Sequence, residues 1–178
     1  MWTLRPAVAT DAPALSELAM DSKASWGYSA DFMEACREEL TITDRRIDDE
    51  MMTVAESEDG VVVGFVSVTI DGASADLADL FVAPQAQSAG VGRALWESAC
   101  RDAIDAGCRL MTVEADPNAV DWYVGFLKKV FTTKEFQGYL QKGALKAAFA
   151  TGSEYVKWVE ENDKLHKQLM EKGGLIKK

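Results

Sequence analysis

The residues whose types and spacing point most directly to chemistry lie between residues 79 and 94. An apolar stretch ends at Pro84 and a helical pattern begins near Val91, with Gln87-Ser88-Ala89-Gly90-Val91-Gly92-Arg93-Ala94 at the junction. The free N–H groups of a helix start are a ready site for phosphate oxygens. Glycine there permits positive φ and lets the backbone approach an anion closely. A strand, a glycine-bearing loop and a helix start, in that order, suit a pyrophosphate. A plain strand-to-helix turn also uses glycine, so the pair alone does not decide. No Gly-Lys-Ser/Thr follows, which excludes a Walker loop, and the dinucleotide pattern Gly-x-Gly-x-x-Gly is not completed. Two carboxylates sit close by in the predicted elements. Asp79 lies two residues before Phe81, so both side chains share one face of their strand, and Glu114 ends the following strand. Either could relay a proton through water, and either could be a solvated strand-end acid.

The flanks of the loop narrow the reading. Val82-Ala83-Pro84, then Gln87-x-x-Gly90-x-Gly92, then Arg93-Ala94-Leu95 resembles the acetyl-CoA signature of the GCN5-related N-acetyltransferase (GNAT) superfamily. That signature usually reads Gln/Arg-Gly-x-Gly-x-Gly/Ala, and here Ser88 stands in place of its first glycine. The resemblance covers residues 1–123. It implies acetyl-CoA as cosubstrate, held by Leu80, Phe81 and Val82 of the splayed strand and by Gln87, Ser88, Ala89, Gly90, Val91, Gly92, Arg93 and Ala94 of the loop. It extends to Ala115-Asp116-Pro117-Asn118-Ala119 followed by Trp122-Tyr123. In the family, the Asn touches the pantetheine or phosphate region and the Tyr hydroxyl protonates the departing thiolate, roles carried here to Asn118 and Tyr123. Tyr123 also fits a core aromatic at a helix start. The chemistry implied is direct acetyl transfer to a primary amine of a small molecule or peptide. It needs a neutral amine, a polarised thioester carbonyl and a protonated leaving sulfur. Trp26 and Tyr28, on either side of Gly27, lie where the superfamily places acceptor-binding residues; a packed loop would use the same residues.

These side chains must be positioned by elements that the sequence outlines. Residues 2–8 read as a strand. Thr10-Asp11-Ala12-Pro13 opens a helix, since Thr or Asp caps it and Pro is tolerated in the first turn. A second helix is predicted over 30–40 from Phe32, Cys36 and Leu40. Strands follow at 51–56, 61–70 and 75–82, separated by the hairpin signals Asp59-Gly60 and Asp71-Gly72. The helix after the loop runs to about residue 106 with Val91, Ala94, Leu95, Ala99 and Ala103 on its apolar or small face, and Gly107 terminates it. Residues 109–114 form a strand parallel to 75–82 if the helix is a right-handed crossover. The order predicts an α/β domain with a mixed sheet, in the acyl-CoA N-acyltransferase arrangement, with the usual last two strands replaced by a largely helical segment.

Composition bounds the rest. With 178 residues, 48% hydrophobic, one sizeable core is expected. No apolar run is long enough for a membrane span, and Met1-Trp2-Thr3-Leu4-Arg5 does not read as a signal peptide. Cys36, Cys100 and Cys108 have no CxxC spacing, which suits reduced thiols of a cytoplasmic protein. His166, the single histidine, is far from them, so no metal site is expected. A net charge of −10 disfavours nucleic acid.

The charge is unevenly placed: residues 1–123 carry 8 basic and 23 acidic side chains, net −15, whereas 124–178 carry 11 lysines and 6 acids, net +5. This places a composition boundary at 123/124, between an acetyl-CoA-binding core and a basic helical segment. Trp122-Tyr123, Glu135-Phe136, Phe149-Ala150-Thr151-Gly152-Ser153-Glu154-Tyr155, Trp158 and Gly173-Gly174-Leu175 resemble the C-terminal segment of extracytoplasmic solute receptors of tripartite tricarboxylate transporters, over 119–176. That resemblance implies a chimera, natural or engineered, that keeps the fold and at most binds coenzyme A. A helix through residue 141, a short strand at 145–150 and a helix opened by Thr151-x-x-Glu154 are expected. The 109–114 strand would be an open edge, covered by the tail or by a second copy in a homodimer.

Overall fold

The computed structural model describes residues 1–134, 137–138 and 151–172. Two compact units are present, Met1–Glu114 and Ala115–Lys178. The first unit contains the strands β1 (Trp2–Pro6), β2 (Met51–Ser57), β3 (Val62–Asp71), β4 (Ser74–Val82) and β5 (Leu110–Val113), and the helices α1 (Ala12–Ala24), α2 (Ala30–Ala35), α3 (Asp44–Asp49) and α4 (Val91–Asp105). The strands form one sheet in sequence order. β1 to β4 are antiparallel neighbours, and β5 joins β4 in parallel through the α4 crossover. The mixed α/β architecture expected from the sequence is the one observed.

Side-chain alternation divides the core between the two sheet faces. On one face, Leu15, Leu18 and Ala19 of α1 pack with Val54, Phe65 and Ala83. On the other, Val91, Leu95, Ala99 and Ala103 of α4 pack with Val66, Val68, Ala75 and Leu77. The α4 residues recur every three or four positions, the spacing that puts them on one helix face. Gly64 on β3 explains how closely α4 approaches. A Cβ at Gly64 would stand 3.0 Å from Leu95 Cδ1, Val91 Cγ1 and the Phe81 carbonyl oxygen. Only a residue without a side chain lets the first turn of α4 rest on the sheet there.

Two local features depart from the expected pattern. The helix predicted over 30–40 is shorter: α2 ends at Ala35 and the chain continues in turns to Leu40. α3 was not expected, because six residues are too few for a periodic signal; Thr43 caps it by accepting a hydrogen bond from the Arg46 N–H. At the far end of α4, Gly107 adopts φ 82°, and the N–H groups of Gly107 and Cys108 return to the carbonyls of Ile104 and Ala103, a glycine stop as read from the sequence.

The second unit contains α5 (Val120–Phe131) and α6 (Gly152–Lys172) among its described residues. Tyr155 and Trp158 stack on α6 with ring centroids 6.1 Å apart. The strand expected at 145–150, the end of the helix expected to residue 141 and the glycine stop at 173–174 lie outside the described residues, while 134 and 137–138 are helical. Among the described residues, no helix is long and apolar enough to cross a membrane.

Candidate active site

The site begins with a register change in β4. β3 pairs Ser67 with Asp79 and then Val68 with Leu77, leaving Ala78 as an extra residue. Such a bulge reverses the alternation beyond it. Ala75 and Leu77 pack toward α4, and past the bulge Leu80 and Val82 do so. Asp79 and Phe81 therefore turn to the α1 face, where Phe81 joins the α1-side cluster and its ring lies 5.7 Å from that of Phe65. The bulge thus delivers Asp79 to the α1 side.

The same position marks a parting of strands. β5 pairs with β4 from Ser74↔Leu110 to Leu77↔Val113 and no further, while β4 runs on to Val82. Phe81 pairs opposite Phe65, and the Ala83 N–H donates to the Val63 carbonyl. By alternation, the backbone groups of Phe81 face β3, and those of Leu80 and Val82 face the gap left by β5. Of the three expected backbone contributors, two present their amides to that gap and one is engaged in the ladder. Glu114 follows Val113 directly, is exposed, and stands at the mouth of the gap.

Beyond Val82 the chain makes a short 3₁₀ turn, Pro84–Ala86, and enters the loop. Residues 87–90 are exposed. Gly90 is the N-cap of α4 at φ 84°, and no side chain caps the helix. The first-turn N–H groups are thus left to an external acceptor, the arrangement that suits a phosphate. Ser88 has φ 63°, a left-handed conformation that favours glycine. The position where the signature usually has glycine is therefore one where glycine would relieve strain. The other loop residues divide by role: the Val91 side chain is core at 1% exposure, and Arg93 reaches Glu97 at 2.8 Å along the surface of α4.

Asp79 is 8% exposed. Its Oδ2 accepts from the Ser67 hydroxyl at 2.7 Å and from Nη2 of Arg46. Arg46 also donates to both Glu50 oxygens, at 2.7 and 3.1 Å. The Glu50 hydrogen bond, together with the nearby Asp79 charge, raises the Arg46 guanidinium above its ordinary value despite the opposing effect of burial. The Arg46–Asp79 pair had no signal in the sequence, because 33 residues separate the partners.

Tyr28 packs against the α1-side cluster and against Phe32, with ring centroids 4.6 Å apart. Lys23 Nζ lies 5.5 Å from the Tyr28 centroid, within cation–π range. Trp26 is 46% exposed in the turn after α1 and is absent from that cluster. The structure thus joins Tyr28 to the face that carries Phe81 and leaves Trp26 facing solvent.

In the second unit, Asn118 donates its backbone and side-chain N–H groups to Asp116 Oδ1 at 2.9 and 3.1 Å. Tyr123 lies in the first turn of α5, edge-to-face with Trp122. Burial pushes its hydroxyl up to about 12, so it keeps its proton at neutral pH.

The sequence model of the acetyltransferase (GNAT) family matches residues 14–126. Among solved structures, PaiA N-acetyltransferase from Thermoplasma acidophilum, in complex with coenzyme A, is 22% identical with a TM-score of 0.59, covering 69% of this chain and 86% of that one. A GCN5-related N-acetyltransferase (aminotransferase, class-II) from Rhodopseudomonas palustris is 25% identical with a TM-score of 0.58, covering 69% and 78%. Another from Ralstonia eutropha JMP134 is 16% identical with a TM-score of 0.59, covering 71% and 91%. A search of the curated proteins finds no match. The family match spans more than half of the chain and includes most of α1, the bulged β4 and the loop before α4: the chain belongs to the acetyltransferase (GNAT) family.

Proposed function

We propose that this protein is an acetyl-CoA-dependent N-acetyltransferase that transfers the acetyl group directly to a primary amine. Acetyl-CoA is the cosubstrate of the family. The observation that carries the reading is the gap between β4 and β5, which opens at the bulge and leads straight to the uncapped start of α4. The residues present fit such a guest. The N–H groups at 90–92 suit the pyrophosphate, with Gln87, Ser88, Ala89 and Arg93 around it and Ala94 one turn further on. The backbone of Leu80 and Val82 suits the pantetheine amides, and an N–H there would polarise the thioester carbonyl.

The reaction requires the acceptor ammonium to lose a proton, and Asp79 and Glu114 are the candidate relays. The neutral amine attacks the thioester carbon, the C–S bond breaks, the nitrogen loses a further proton as the amide forms, and the thiolate takes a proton. By the family resemblance, Tyr123 is that donor and Asn118 a cofactor contact; Trp26 and Tyr28 belong to acceptor recognition. A thermal-shift titration tests the cosubstrate, since stabilisation grows as RT ln(1 + [L]/Kd). No shift at millimolar acetyl-CoA would overturn the reading. Thiol release over a panel of primary amines tests turnover, with Tyr123→Phe expected to lower kcat by roughly 10²-fold or more while acetyl-CoA affinity is kept. An unchanged kcat removes Tyr123 from the mechanism.

A second reading is the one implied by the receptor-like resemblance of the tail. A chimera with a receptor-like segment over 119–176 would bind coenzyme A without turnover. An acetyl-CoA shift with no thiol release for any amine would favour it.

A further inference from the structure

The environment of Asp79 is asymmetric. Ser67, 0% exposed on β3, and Arg46 on α3 both donate to Oδ2. Oδ1 accepts no hydrogen bond from the described residues. No buried side-chain nitrogen or oxygen among them lacks a partner. Oδ1 therefore keeps contact with solvent although Asp79 is 8% exposed. A carboxylate held for stability alone would gain more from donors to both oxygens, as in a fork-to-fork arginine pair. Here the arginine's second nitrogen is turned to Glu50 instead: Nε donates to Glu50 Oε1 and Nη2 is shared between Glu50 Oε2 and Asp79 Oδ2. Glu50 thereby fixes the guanidinium in a position where one N–H reaches Asp79 and the rest cannot. The bulge at Ala78 adds to this, since it turns Asp79 onto the α1 face at the place where β4 parts from β5.

We propose that Arg46 and Ser67 are positioning residues that hold Oδ2 of Asp79 so that Oδ1 accepts the proton of the acceptor's ammonium group. This rests on the acetyltransferase reading and selects Asp79 over Glu114 within it. One N–H bond of the ammonium breaks as an O–H bond forms at Oδ1, directly or through one water. The freed lone pair attacks the thioester carbon, the C–S bond breaks, the nitrogen gives up a second proton as the amide forms, and the sulfur takes up one proton and leaves as coenzyme A. Asp79 then returns its proton to water. The ion pair has a second consequence for substrate choice. Oδ1 belongs to an ionised carboxylate and accepts hydrogen bonds, so the site suits a protonated primary amine, which brings a positive charge and N–H donors.

The test uses the full chain, acetyl-CoA, and 1,4-diaminobutane and 2-phenylethylamine as probe amines in a thiol-release assay. Arg46→Gln is expected to lower kcat/KM for the amine by roughly 10- to 100-fold, the scale of a displaced catalytic group. The KM for acetyl-CoA and the acetyl-CoA thermal shift should stay within about twofold of the parent, because uniform cofactor binding is not touched. Arg46→Lys, which keeps the charge but not the planar fork that Glu50 holds, should recover only part of the loss, and Ser67→Ala should cause a smaller loss in the same parameter. Ser67→Ala keeps the test decisive if Arg46→Gln does not fold, since it removes one donor and leaves the charge pair. Variants with lowered thermal stability but unchanged amine kinetics overturn the proposal. So does a Glu114→Gln variant that loses amine turnover where Asp79→Asn does not. Failure of the parent chain to release thiol with either probe, with the acetyl-CoA shift intact, overturns the role of Asp79 and leaves cofactor binding standing. Absence of the acetyl-CoA shift overturns the acetyltransferase reading itself.

Discussion

Two residues of the loop show how backbone conformation and side-chain identity trade places. Gly90 has φ 84° and Ser88 has φ 63°, both in the left-handed region where a Cβ is penalised by about 1–2 kcal/mol. Nothing lies within 4 Å of a Cβ built at Gly90, so a substitution there meets conformational strain and no clash. Gly90→Ala is expected to destabilise the fold by about 1 kcal/mol and to weaken acetyl-CoA binding by tilting the first-turn N–H groups. Ser88→Gly is expected to stabilise by a similar amount, about 0.5–1 kcal/mol, because the strain it relieves exceeds the added freedom of the unfolded chain. Chemical denaturation of both variants, with and without acetyl-CoA, reads the two effects. Equal stabilities for all three proteins would show that the loop conformation is not strained. Spacing made both positions legible as a glycine loop. It could not show that Ser88 occupies the left-handed conformation, because serine is not a residue that requires it.

At the scale of elements, the placement of α4 on β3 decides where the anion-binding helix start points. Gly64 is the contact, and Phe81's carbonyl oxygen, at 3.0 Å from a Cβ built there, is backbone and cannot rotate away. Gly64→Val should lift the first turn of α4 from the sheet and destabilise by about 1–3 kcal/mol, the range for overpacked cores. Its acetyl-CoA affinity should fall further than that of Gly90→Ala, since the whole helix start is displaced. Denaturation and acetyl-CoA titration check both parts, and a Gly64→Val protein with parent affinity would sever the link between the packing and the loop. The strand pattern of β3 gave no hint of this contact, as an isolated glycine in a strand also reads as a bulge or a bend. The bulge at Ala78 was equally hidden. Asp79 and Phe81 share a face with or without it, and only the pairing with β3 shows which face that is.

For the whole molecule, charge is the property with reach. Residues 1–123 carry a net charge of −15, and such a field raises the local concentration of cationic substrates. With 1,4-diaminobutane as acceptor, kcat/KM should fall by about tenfold as salt shortens the screening length from about 10 Å at 0.1 M to about 3 Å at 1 M. The KM for the anionic acetyl-CoA should change much less or improve. A salt-independent kcat/KM for the diamine, measured by thiol release, would show that the field does not steer the acceptor.

The order of the strands, the parallel return of β5, the glycine stop of α4 and the loop that ties the chain to its family were all readable from sequence. Each is set by residues close together in the chain: alternation in strands, three-to-four spacing in helices, and glycine or proline where the backbone must turn. What the tertiary structure decided is pairing at a distance. It ended β5 at Val113 and so opened the gap beside Leu80 and Val82, inserted Ala78 between two ladder positions, and brought Arg46 from a six-residue helix to Asp79. Local propensity carries no record of such contacts. They follow from which surfaces bury together, and the sequence named Asp79 while only the folded sheet chose its partners and its free oxygen.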